Sequence, residues 1–122
     1  MVVLLGTLPP LKTPIRVLIA VVPVSYTHLD TPPGIFPLTY KQKDKVLRGA
    51  KRADGTYEYE SPVSFWMPFN GGIGFHDANW RSSFGGEIYK TGGSHGCINL
   101  PPDRVPAFYE QVYKGMPVIC YL

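Results

Sequence analysis

Cysteine and histidine are scarce in this chain. Its 122 residues hold two cysteines and three histidines: Cys97, Cys120, His28, His76 and His95. Two cysteines make no disulfide framework, and they leave the redox compartment open. Charge is sparse as well: 17% of the residues are charged, and 12 basic against 9 acidic side chains give a net charge of +3. The main basic stretch, KQKDKVLRGAKR, is interrupted by Asp44, and a charge this evenly spread excludes nucleic acid as an expected partner. The apolar run IRVLIAVVPV, from Ile15 to Val24, contains Pro23 and is too short for a membrane helix. The opening MVVLLGTLPP lacks the charged start of an export signal. Any tie to a membrane is therefore expected to come from an anchor or signal that these residues do not include.

Turn-forming residues are plentiful. Thirteen glycines and thirteen prolines stand among 44% apolar residues, which is the make-up of a single turn-rich globular domain with a mostly β fold. The stretch TPPGIFPLTY reads as a turn leading into a short extended run. KRADGTYEYESPV carries an Asp54-Gly55 turn suited to a hairpin, and SPVSFWMPF and GGIGFH read as two strands joined at Asn70-Gly71-Gly72. One helix is expected after Pro102. Asp103 would cap it, Pro106 is tolerated in its first turn and Gly115 would end it. Val105, Phe108, Tyr109 and Val112 then share one face, with Tyr113 at its margin. MPVICYL closes the chain as a buried strand, with Cys120 a small buried hydrophobe in it.

Chemistry concentrates in GGSHGCINLPP, where His95 and Cys97 stand one glycine apart. A buried cysteine would have aliphatic neighbours, whereas Cys97 has serine, histidine, glycine and asparagine around it. A thiol attacks a carbonyl as thiolate, so it needs a base and backbone N–H donors for the oxyanion. Gly96 lets the backbone turn tightly enough for amides near Gly96 and Cys97 to serve as those donors. His76, 21 residues upstream at the end of an expected strand, is the candidate base, and His95 would share a face with Cys97 on an extended chain. Zinc is a rival reading, with His76, His95 and Cys97 as ligands and Cys120 or water as a fourth. An H-x-C pair without a second close pair matches no usual structural zinc spacing. The expectation is a site with no metal and no organic cofactor.

The string SHGCIN, Ser94 to Asn99, with His76 upstream, resembles the signature of the L,D-transpeptidase (YkuD-type) catalytic domain. TPPGIF is similar to that family's T-P-x-G-x-F element, and in HDANW, Trp80 falls where an aromatic often stands near the substrate. Histidine before cysteine is also the reverse of the papain-like and NlpC/P60-type order. The resemblance implies a YkuD-like β sandwich or barrel with one short helix near the C-terminus, over residues 31–122. Residues 1–30 do not follow the family's opening strands and are expected to be a divergent or foreign segment.

The implied function is peptidoglycan transpeptidation at the extracytoplasmic face of the cell envelope. A tetrapeptide stem donates its acyl group to Cys97, and a diamino-acid amine accepts it to form a 3-to-3 cross-link. Water as acceptor gives an L,D-carboxypeptidase, and a catalytically inactive domain would only bind cell-wall peptides. Carbapenem β-lactams are the implied inhibitors. By the same resemblance Cys97 is the nucleophile and His76 its base, Ser94 and His95 orient them, and Gly96 shapes the oxyanion site. Trp80 and Trp66 would wall the stem peptide, with Met67 left to the core. Arg81 would meet a substrate carboxylate, and Asn99 would brace the cysteine turn.

Overall fold

Val63, Phe65, Met67 and Phe69 stand at every second position, and a period of two gives a strand one apolar face. They form the centre of β5, Glu60–Asn70. With strands numbered in chain order, β4 (Gln42–Arg48) and β6 (Ile73–Asp77) flank it, both antiparallel. The β5–β6 connection is the expected Asn70-Gly71-Gly72 turn, in which Gly71 has φ +55°, a left-handed conformation natural to glycine. The β4–β5 hairpin closes over Asp54-Gly55. There the Asp54 carboxylate accepts hydrogen bonds from the Thr56 N–H (2.9 Å) and hydroxyl (2.6 Å).

A short strand, β7 (Ile98–Leu100), lies parallel to β6 and completes the sheet order β4-β5-β6-β7. The computed structural model describes residues 2–5, 18–21, 32–84 and 96–121. Among them a second, antiparallel sheet has the order β2-β1-β8-β3. Its strands are β1 (Val2–Leu5), β2 (Leu18–Val21), β3 (Gly34–Pro37) and β8 (Pro117–Tyr121). The closing strand expected from MPVICYL is therefore internal, paired with β1 on one side and β3 on the other.

The helix α1 spans Val105–Gln111. Its N-cap is Arg104, with no side-chain cap, in place of the expected Asp103, and it ends at Val112 rather than at Gly115. Asp103 instead faces the neighbouring Arg104 guanidinium at 3.6 Å. Gly115, at φ +87°, reverses the chain one turn later. The expected face holds: Val105, Phe108 and Val112 are buried, Tyr109 is half-buried and Tyr113 is exposed. The buried three pack with Met67, Phe69, Phe75 and Ile98 of the first sheet and with Leu38, Met116, Val118 and Cys120 on the β3–β8 side. The apolar core thus lies between the sheets, closed by α1, and the architecture is mostly β with one short helix.

Candidate active site

Strand parity decides which side chains leave this core. Phe75 and Ile98 are register partners and both are buried in it. Their neighbours His76 and Asn99, also partners, project from the opposite face of the sheet, and Trp66 joins them as the partner of His76 on β5. Two residues before Asn99, Cys97 returns to that same outer face. His76 lies opposite Asn99, so Cys97 is its nearest same-face neighbour on that side of the pair.

Cys97 sits just before β7 begins, where the β6–β7 ladder runs out. The Gly74 N–H points across towards β7 and reaches the Cys97 sulfur. The thiol donates to the Gly72 carbonyl at 3.4 Å. Desolvation pushes the thiol pKa above its ordinary value, and the Gly74 N–H, which favours thiolate, opposes that shift. Immediately before, Gly96 is buried with φ +95°, so the tight turn expected at that glycine is present.

His76 is 4% exposed although it lies on the outer face, because two indoles cover it. Its ring centroid is 6.1 Å from that of Trp66 and 5.7 Å from that of Trp80. Trp66 is itself buried, and its Nε1–H donates to the Tyr40 hydroxyl at 3.2 Å. His76 Nδ1 lies 2.8 Å from the Asp77 carbonyl. A carbonyl only accepts, so Nδ1 carries the proton and Nε2 is left as the acceptor of the neutral ring. Burial is the main effect that lowers the imidazole pKa, helped by the charge of Arg81. The Asp77 carbonyl and carboxylate act the other way.

Comparisons with known proteins identify the family and the fold. A model of the L,D-transpeptidase catalytic domain, YkuD, matches residues 13–120. The chain belongs to the YkuD family of L,D-transpeptidase catalytic domains. No curated protein sequence matches it. Among solved structures, the Ldtfm–avibactam carbamoyl enzyme is 38% identical, with a TM-score of 0.74 over 88% of this chain and 41% of that one. The catalytic domain of the E. faecium L,D-transpeptidase, solved by NMR, is 43% identical, with a TM-score of 0.64 over 80% and 75% of the two chains. An L,D-transpeptidase from Mycobacterium smegmatis is 26% identical, with a TM-score of 0.61 over 80% and 46%. This chain therefore spans less than half of the first of these proteins.

Of the YkuD signature, the structure describes His76 and Gly96 to Asn99: His76 pairs with Asn99 across the parallel strands β6 and β7, and Gly96 and Cys97 stand just before β7 begins. Ser94 and His95 lie outside the described residues, as does His28. Trp80 is 50% exposed and leans on His76. Trp66, expected as a wall against substrate, is buried at 4% and backs the imidazole from within. Met67 is fully buried core. Arg81 is half-buried, close enough for its charge to reach His76.

Among the described residues no group of three or more His, Cys, Asp or Glu could hold a metal. No helix among them is long and apolar enough to cross a membrane.

Four contributors went unread in the sequence. Gly72 and Gly74 touch the sulfur, and Asp77 holds the imidazole. The Tyr59 phenol feels the charge of Cys97, which, after burial, raises its pKa. Three of these act through backbone groups, whose direction follows from strand pairing. The fourth is set in place by Gly49, where a Cβ would meet the Tyr59 ring at 2.7 Å.

Proposed function

We propose that this domain is a cysteine-dependent acyltransferase of the cell envelope, a peptidoglycan L,D-transpeptidase with Cys97 as nucleophile and His76 as base. The observation that supports it is the common outer face of the parallel strands β6 and β7, on which His76 lies opposite Asn99 and Cys97 lies two residues before Asn99. A thiol held between Gly72 and Gly74 there shares a site with an imidazole whose Nε2 is free of its proton.

In the first transfer the Cys97 sulfur attacks the carbonyl of the diamino acid at stem position three. The thiol proton passes to His76 Nε2, the C–N bond to the terminal D-alanine breaks, and the departing amine takes that proton as the thioester forms. In the second, the side-chain amine of a neighbouring stem attacks the thioester, its proton returns through His76, and the thiol is regenerated beside a 3-to-3 cross-link. Water in the amine's place gives L,D-carboxypeptidase cleavage.

Burial favours the neutral forms of both Cys97 and His76, which suits base-assisted attack within the complex. Amides at Gly96 and Cys97 are the oxyanion donors, each worth about 3 kcal/mol in the transition state. Trp80 offers the exposed apolar wall and Arg81 a partner for a substrate carboxylate. Asn99 braces the cysteine turn, and Ser94 and His95 orient the nucleophile.

The E. faecium catalytic domain has been solved acylated by ertapenem, so a carbapenem is the natural probe. Intact mass after incubation should show one adduct on the wild type and on Cys120→Ala, and none on Cys97→Ala. An adduct that survives Cys97→Ala would refute the assignment.

A further inference from the structure

Asp77 is buried, and the mechanism above uses only its carbonyl. Its carboxylate accepts the Phe65 N–H at 2.8 Å (Oδ1) and the Ser64 N–H at 3.1 Å (Oδ2), both from β5. Side chains rarely take backbone donors from the middle of a sheet, and parity shows what this one replaces.

The Pro68 carbonyl turns away from β6 to accept the Thr39 N–H at 2.8 Å, so Pro68 and Gly74 form a non-hydrogen-bonded pair. Pairs alternate along an antiparallel ladder, which makes Met67 and Phe75 a hydrogen-bonded pair and Trp66 and His76 a non-bonded one. The next pair would be Phe65 with Asp77, bonded, with the Phe65 N–H donating to the Asp77 carbonyl. The ladder stops before it. That carbonyl accepts from His76 Nδ1 instead, and Phe65 is taken by the carboxylate of the same residue.

We propose that Asp77 is a positioning residue whose carboxylate stands in for its own carbonyl in the β5–β6 ladder, freeing that carbonyl to hold His76 with the proton on Nδ1. Without the carboxylate, Phe65 reclaims the carbonyl, the ladder extends by one pair, and the imidazole loses the acceptor that fixes its tautomer. The inference rests on the functional reading above only for why an unprotonated Nε2 is useful.

The test begins on the wild-type chain by NMR. The His76 ring nitrogens should show Nδ1 protonated and Nε2 bare, and the Phe65 amide should couple across its hydrogen bond to the Asp77 side-chain carboxyl carbon. Coupling to the Asp77 backbone carbonyl, or a proton on Nε2, overturns the proposal without any variant. In Asp77→Ala the Phe65 coupling should move to the backbone carbonyl and the His76 tautomers should mix. Cys97 alkylation should then slow about 10- to 100-fold, the range found when the group orienting a functional imidazole is removed at metal sites.

Asp77→Asn, which keeps one acceptor oxygen, should restore the tautomer in greater part. A folded Asp77→Ala with unchanged ring-nitrogen shifts and alkylation rate overturns the proposal. So does loss of fold in both variants, which would assign the carboxylate to folding alone. None of these readouts needs turnover. A chain that passes them and yet processes no tetrapeptide refutes only the proposed activity.

Discussion

Gly74 offers the sharpest test of the site's construction. A Cβ built on it would lie 2.6 Å from both the Met67 carbonyl oxygen and Pro68 Cα, and 2.9 Å from the Met67 carbonyl carbon. All three are backbone atoms of the neighbouring strand, so no side chain can swing aside. Ordinary contact begins at 3.4 Å, so Gly74→Ala must push β5 and β6 apart by roughly 0.8 Å, an overpacking strain worth about 3 kcal/mol. For a domain of this size that is a fall of about 10 °C in the melting midpoint.

The same displacement moves the N–H that meets the Cys97 sulfur, and an error near 1 Å at reacting atoms can cost about 100-fold in rate. Two other glycines of the hairpin serve as controls. Gly71→Ala enters open space but keeps φ +55°, at a cost of about 1 kcal/mol. Gly72→Ala enters open space without a positive φ and should stay within about 0.5 kcal/mol. Thermal denaturation and iodoacetamide alkylation of Cys97, run on all three, should rank the losses 74, then 71, then 72. A Gly74→Ala chain as stable and as reactive as Gly71→Ala would refute the reasoning.

Two further outcomes follow from burial. The folded chain holds His76 below its ordinary pKa of 6.5, so the unfolded chain takes up that proton first. The stability due to the neutral imidazole is then complete above pH 6.5 and lost as pH falls through the folded value. Denaturation midpoints should drop below pH 6.5 in the wild type and drop less in His76→Gln, and equal slopes would remove the assignment. Met67→Ala deletes a fully buried side chain from the core and should cost about 2–5 kcal/mol by urea unfolding at an unchanged m-value.

Much of this was legible in the residues themselves. Period-two alternation in SPVSFWMPF and the glycine turn after Asn70 place β5 and β6 without ambiguity, because one face must be apolar and the turn needs a left-handed residue. The helix face was readable for the same reason, but its cap was not. Asp103 is a good capping residue by type, and the chain enters α1 one residue later, through Arg104. The pairing of β7 with β6 was not readable either, since INL is too short to show a period and parallel pairing depends on distant chain. Cys97 and His76 stood out by residue type. Gly74 and Asp77 did not, because the backbone groups of both, and the carboxylate that frees the Asp77 carbonyl, take their roles only when the ladders are assembled.

Trp80 decides how dry the site is. It covers His76 from outside while remaining half-exposed, and two opposed effects meet in it. Its indole shields the imidazole from water, which disfavours the charged form. Its ring face also attracts an imidazolium, by about 0.5–1 kcal/mol at an exposed position. Desolvation is the largest influence on His76, and Trp66 would still offer a ring face if Trp80 were removed. Trp80→Ala should therefore raise the His76 pKa from its depressed value towards 6.5, leaving overall stability nearly unchanged because the lost side chain is half in water. NMR titration of the ring resonances measures the shift directly. A fall in pKa would mean that the indole holds His76 by attraction for its charge, and the covered outer face would then favour the imidazolium rather than the free base.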